Sequence, residues 1–240
     1  MMALLRGELG KALSTRTLLA FLLGGVGFSL LNAVLVAVAS GTLGSASQKQ
    51  EALTTLPILL VIWGLVGAAG EYRHRTAAPA ALVARRGRAT LLLARLTAYG
   101  MVGLGLGVVM TGAALALGVP LLRDQQPGPD LDLAQIGSVA GANLAACVLS
   151  AIMGAAIGAL IRNQIVGVVV LLVLNFAVIP LIAGAQEGLA NLTPFGASSI
   201  LSGMTHDTTL SVAAAGAVLA GWTIIVAIGA LAGERRRDLA

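Results

Sequence analysis

The stretch Gly67-Ala68-Ala69-Gly70-Glu71-Tyr72-Arg73-His74-Arg75-Thr76, with its sequel Arg85-Arg86-Gly87-Arg88, decides how this chain is read. The residues before it, 53–70, carry no charge. Coiled as an α-helix, such a run rises about 27 Å, close to the roughly 30 Å of a bilayer's hydrocarbon core. Glu71 is the first charge after the run. Arg73, His74, Arg75, Arg85, Arg86 and Arg88 then frame a small-residue segment, 76–84. Another long apolar run follows from about residue 91, with Arg95 near its start. The stretch reads as a basic loop between two membrane spans.

The rest of the chain agrees with that reading. Of its 240 residues, 58% are hydrophobic and 10% are charged, against about 25% charged in an ordinary soluble domain. Aromatics are scarce at 3%, while glycine and alanine abound. That balance suits closely packed membrane helices, where small residues let backbones approach. A soluble α/β enzyme could not cover so much apolar surface. Six spans are expected in one all-α membrane domain covering 1–240, at about 18–40, 53–70, 91–119, 134–161, 165–184 and 210–233. Ala37-Val38-Ala39 imitates a signal-cleavage site. The apolar run there is much longer than the ~7–15 residues of a signal peptide, so it reads as a retained span.

Charge sets the orientation. Of the 15 lysines and arginines, 13 fall in the N-terminus, the second-to-third loop with Arg95, the fourth-to-fifth turn and the C-terminus. Only Lys49 and Arg123 lie in the other loops. The positive-inside rule then places both termini in the cytoplasm. The net charge of +5 is a topology signal directed at anionic lipid, and nucleic acid is not an expected partner. The lone cysteine, Cys147, lies in an apolar run and allows no internal disulfide.

Smaller features refine the picture. Leu4, Leu5, Leu9 and Leu13 alternate with Arg6, Lys11 and Arg16, which reads as an amphipathic helix on the membrane surface. Pro79 favours the first turn of a short helix continued by Ala80 to Ala84. Residues 123–132 form a polar Pro/Gly turn region. Gly103 with Gly107, and Gly154 with Gly158, are small-xxx-small pairs suited to helix packing. The tight turn at Arg162 makes spans four and five antiparallel neighbours. Residues 185–207 are too short for another span plus loops, and Leu192-Thr193-Pro194-Phe195-Gly196-Ala197 breaks them. They read as a re-entrant outer hairpin. Asn191-Leu192-Thr193 matches a glycosylation sequon, but three residues carry little weight.

Catalytic chemistry finds few candidates. The two histidines, His74 and His206, are expected on opposite sides of the membrane, which argues against a histidine metal site or a Ser-His-Asp triad. Neither lysine is followed by Ser or Thr, so there is no P-loop. No ionisable residue lies in the middle of a span, unlike the pattern common in ion-coupled carriers. The intramembrane polar residues are neutral. Asn32, Asn143 and Asn175 either line a path or bond between helices, and bonding between helices is the favoured reading.

Four stretches in order resemble the membrane subunits of type-2 ATP-binding-cassette exporters: Gly70-Glu71-Tyr72-Arg73-His74, Leu160-Ile161-Arg162-Asn163-Gln164, Thr193-Pro194-Phe195-Gly196 and the terminal Arg235-Arg236-Arg237-Asp238-Leu239. The resemblance, which runs the length of the chain, implies a permease. It would act as a homodimer, or a heterodimer with a similar permease, bound to separate ATPase subunits. ATP and magnesium would sit on those subunits, with no cofactor or catalytic residue in this chain. The resemblance also implies an ATPase-coupling loop comprising Glu71, Tyr72, Arg73, His74, Arg75, Leu82, Val83, Arg85 and Arg86. The translocation path would lie at the dimer interface, with Asn32, Asn143, Asn175 and Phe195 as candidate lining residues. Export of a hydrophobic or amphipathic substrate (a drug, lipid or peptide antibiotic) across a bacterial plasma membrane is the expectation. An ATP-independent channel or carrier, or a non-transporting structural subunit, remains the alternative.

Overall fold

The computed structural model describes residues 2–14, 16–73, 87–204 and 210–236, and among these the chain forms helices and no strand. In order they are α1 (Met2–Ser14), α2 (Arg16–Ala39), α3 (Ala46–Glu51), α4 (Pro57–Arg73), α5 (Arg88–Gln125), α6 (Leu133–Ile161) and α7 (Gln164–Val173). A wide π-helical turn, Leu174–Val178, joins α7 to α8 (Ile179–Ala185). Then come α9 (Glu187–Asn191), α10 (Pro194–Leu201) and α11 (Val212–Arg236).

The pair α4 and α6 forms the centre, and glycine is the reason. A Cβ at Gly154 would fall inside the Val61 carbonyl. One at Gly158 would lie 2.6 Å from the Leu65 oxygen, and one at Gly64 would lie 2.5 Å from the Ala151 oxygen. The two backbones thus touch along two helical turns and run in the same direction. The other pair works the same way on α5: a Cβ at Gly103 would meet Ala151 at 2.5 Å, and one at Gly107 would meet Cys147 at 2.8 Å. Around this centre, α2 and α1 pack on α5, α11 packs on α6, and α10 lies against α11. Trp63 and Tyr99 meet between α4 and α5 with ring centres 4.8 Å apart and planes tilted by 50°.

Five helical stretches are long and apolar enough to cross a membrane: Thr17–Ala39, Ala89–Gln125, Leu133–Ile161, Gln164–Ala185 and Val212–Glu234. Their outward faces are greasy. Leu23 and Val38 on α2, Val169 and Phe176 on the stretch Gln164–Ala185, and Ile225 and Ile228 on α11 are all exposed. Water does not tolerate continuous apolar faces of this extent, so these helices suggest a multi-pass membrane protein.

Two boundaries and one buried face differ from the sequence expectation. The second apolar run does not start as a helix at residue 53. The helix begins at Pro57, whose ring is preorganised for a first turn and has no amide to orphan. Residues 53–56 precede it as an irregular segment, in which Leu53, Thr54 and Thr55 are buried. Asn143 satisfies that segment: its Oδ1 accepts from the Thr55 amide at 3.3 Å and hydroxyl at 2.9 Å, and its Nδ2 donates to the Leu53 carbonyl at 2.9 Å. The helix expected to end at residue 119 instead runs through Pro120 to Gln125. Proline removes one backbone bond, to the Ala116 carbonyl, and the long apolar helix continues around it. The third difference is in α1, whose fully buried positions are Glu8 and Ala12, not its leucines.

Within the region 185–207, the described residues form the two short helices α9 and α10, which are separated at Leu192 and Thr193. Thr193 ends one short helix by donating to the Ala190 carbonyl at 2.6 Å. It starts the next by accepting from the Gly196 amide at 3.1 Å. Phe195, Ile200 and Leu201 are buried beside α11. Asn191 is buried as well, which leaves the sequon no accessible amide.

Candidate functional site

The C-terminal end of α4 gathers charged side chains from three other helices and from the α6–α7 turn. Glu71 and Tyr72 are successive residues, so they leave the helix about 100° apart. Each enters a different network.

Glu71 faces α1 and α5. One carboxylate oxygen pairs with Arg95 Nη2, and the other lies 3.4 Å from Lys11 Nζ. Arg95 also holds Glu8, with Nε to Oε2 at 3.1 Å, and Lys11 closes the ring to Glu8 Oε1 at 2.6 Å. Arg95 is only 2% exposed and Glu8 3%. Charges this deep survive because each is paired and hydrogen-bonded. The ring also explains the inward turn of α1: Glu8 faces the bundle because Arg95 is there.

Tyr72 faces α6 and α11. Its hydroxyl donates to Glu234 Oε1 at 2.6 Å. The same oxygen accepts from Arg162 Nη2 at 2.7 Å. The Arg162 guanidinium lies 4.6 Å from the centre of the Tyr72 ring, within range for a cation–π contact. The turn that presents Arg162 is built residue by residue. Arg162 caps α6 in the left-handed conformation, and Asn163 caps α7 by accepting from the Ile165 and Val166 amides. Gln164 donates to the Val66 carbonyl of α4 at 2.7 Å.

Of the residues assigned to the coupling loop, the structure brings Glu71 and Tyr72 into these networks. Arg73 closes α4. His74, Arg75, Leu82, Val83, Arg85 and Arg86, and the short helix expected at 79–84, lie outside the described residues. The sequence reading missed Glu8, Lys11, Arg95, Arg162 and Glu234 as partners. Each was visible as a charge beside an apolar run, which is the only signal the sequence offered.

The candidate path residues sit apart from one another. Asn143 is fully buried within this chain and held as described above. Asn32 donates to the Glu51 carbonyl at 3.1 Å. Asn175 lies in the π-helical turn, half-exposed, and Phe195 is a buried residue of α10. At the opposite end of the bundle, Lys49 is buried and donates to the Gln126 and Gly128 carbonyls, both at 3.2 Å. Gln126 in turn ties Leu43 and Ala37. Among the described residues, no three His, Cys, Asp or Glu side chains cluster as metal ligands.

No protein-family model matches this chain, and no curated protein matches it.

Proposed function

We propose that this chain is the membrane subunit of a type-2 ATP-binding-cassette exporter. It would be a six-span permease with both termini in the cytoplasm, driven by separate ATPase subunits. In this reading α4, which is 17 residues long, crosses the bilayer together with the irregular residues 53–56 before it. Helices α9 and α10 form an outer re-entrant hairpin, and α1 lies along the inner surface. The chain works as a dimer in a bacterial plasma membrane. It binds no nucleotide itself and moves a hydrophobic or amphipathic substrate.

The observation that carries the proposal is the position of Glu71 and Tyr72. They stand at the root of the basic segment 73–88, and their side chains tie that root to α1, α5, α6 and α11. Force applied to the loop by an ATPase would therefore reach most of the bundle as one body. Coupling of this kind needs contacts that differ between two states, and a ring of ion pairs at a helix end can break and re-form.

The test is purification of the chain with an ATP-binding-cassette ATPase, followed by reconstitution. The complex should hydrolyse ATP, and the chain alone should not. Glu71→Ala should keep abundance and ATPase binding while transport per ATP hydrolysed falls strongly. Leu82→Asp or Val83→Asp should instead weaken ATPase binding. Nucleotide-dependent hydrolysis by the uncontaminated chain would overturn the proposal, as would a Glu71→Ala complex that transports like the parent.

A further inference from the structure

Arg162 is the one non-glycine residue with positive φ among the described residues, at φ 57°. It occupies the position after a helix where glycine is the unstrained choice. An arginine there pays a conformational cost that its side chain must repay. The structure shows where: the left-handed turn carries the guanidinium onto the Tyr72 ring and into the ion pair with Glu234. Glu234 is nearly buried on the last helix, and one of its oxygens serves both Tyr72 and Arg162. The three side chains close a cycle that joins three separate parts of the bundle.

We infer that Arg162 and Glu234 are positioning residues, which lock the loop-bearing end of α4 to the α6–α7 turn and to the end of α11. A displacement of the α4 root at Tyr72 is then delivered to the last span. The lock stands on the geometry alone, while its use in transmission rests on the permease reading. It is distinct from the Glu71 ring, because the two share no side chain.

Substituting Arg162 by glycine separates the roles. If Arg162 is only a helix cap, Arg162→Gly relieves the backbone and changes nothing elsewhere. If it is part of the lock, the same change frees Tyr72 on one helix and Glu234 on another.

The experiment uses the full chain in lipid nanodiscs, with amide hydrogen exchange and thermal unfolding read together. Arg162→Gly relieves the left-handed backbone but loses the ion pair, so the melting temperature should change little and the chain should stay folded. Exchange should quicken by about tenfold at both 68–73 and 230–234, the scale of losing a hydrogen bond to a charged group. Glu234→Gln should quicken the same two segments, and Arg162→Lys should restore part of the protection. Unchanged exchange at 68–73 in both Arg162→Gly and Glu234→Gln would overturn the lock.

A second arm adds the co-purified ATPase. Both variants should bind it like the parent and transport less per ATP. Normal transport per ATP would overturn the transmission role. If the lock holds in the chain alone but no such ATPase binds the parent, the permease reading fails and the lock stands.

Discussion

Arg95 is answered by two carboxylates, so removing either one leaves it a partner, whereas removing Arg95 takes the buried cation from both and leaves half-exposed Lys11 beside them. Breaking a buried pair by deleting one member costs about 3–5 kcal/mol when the other is left uncompensated. Arg95→Ala should approach that loss without reaching it, because Glu8 is nearly inaccessible and keeps the half-exposed Lys11 beside it. Glu71→Ala leaves the Arg95–Glu8 pair intact and should lose well under half as much. Thermal unfolding of the two variants in the same nanodiscs checks the order, and equal losses would contradict it. The ordering matters for function, since a residue meant to couple must be removable without collapse. At this scale the sequence showed little. It marked Glu71 as a boundary charge and pointed to no partner on another helix. The partners found are Arg95, 24 positions away, and Lys11, 60 positions away. Spacing arguments reach only along one element, and these pairs are made between elements.

The α4–α6 contact rests on backbone meeting backbone, so it should be intolerant of any added side chain. Gly154→Val would drive a branched side chain into Val61. Overpacking of this kind costs about 1–3 kcal/mol and sometimes more. Gly24→Ala on α2, where nothing lies within 4 Å, should be neutral or gain up to about 1 kcal/mol in helix propensity. Size-exclusion profiles and melting temperatures of the pair would show the contrast. Asn143→Leu should also destabilise, by about 1–3 kcal/mol for each group of residues 53–55 left without a partner. The spacing of Gly154 and Gly158 was legible as a packing face, but not that α4 would be what it packs on. Most helices were legible because uncharged runs 20 or more residues long admit little else. The helix bounds differ at proline: the helix in the second apolar run starts at Pro57, and the one expected to end at about 119 runs through Pro120, because an apolar run marks a span and not the turn at which its helix starts or stops. Phase within α1 was missed for another reason: its leucines outnumber Glu8, but Glu8 has the stronger partner.

Taken whole, the molecule has two differently built ends. One carries Lys49 and Gln126 holding backbone carbonyls and amides, and the other carries the two charge networks around Glu71 and Tyr72. With the basic segments inside, impermeant thiol reagents should reach a cysteine at Gln125, which is exposed, and should not reach one at Gly87 in intact cells. Both variants are made in a Cys147→Ala background. The neighbouring Gln126 is unsuitable, because it is buried and its side chain ties Leu43 and Ala37. Labelling at Gly87 but not at Gln125 would invert the topology. The ring at the Glu71 end also has an electrical consequence. Glu8, Lys11, Glu71 and Arg95 are two acids and two bases, with formal charges that cancel. Carrying one elementary charge through 100 mV takes about 2.3 kcal/mol, whereas a neutral quartet that shifts together draws no such work from the field. Its movement would then proceed alike in energised and de-energised membranes. Lys11→Gln, by leaving the quartet one charge negative, would make the same movement sensitive to voltage.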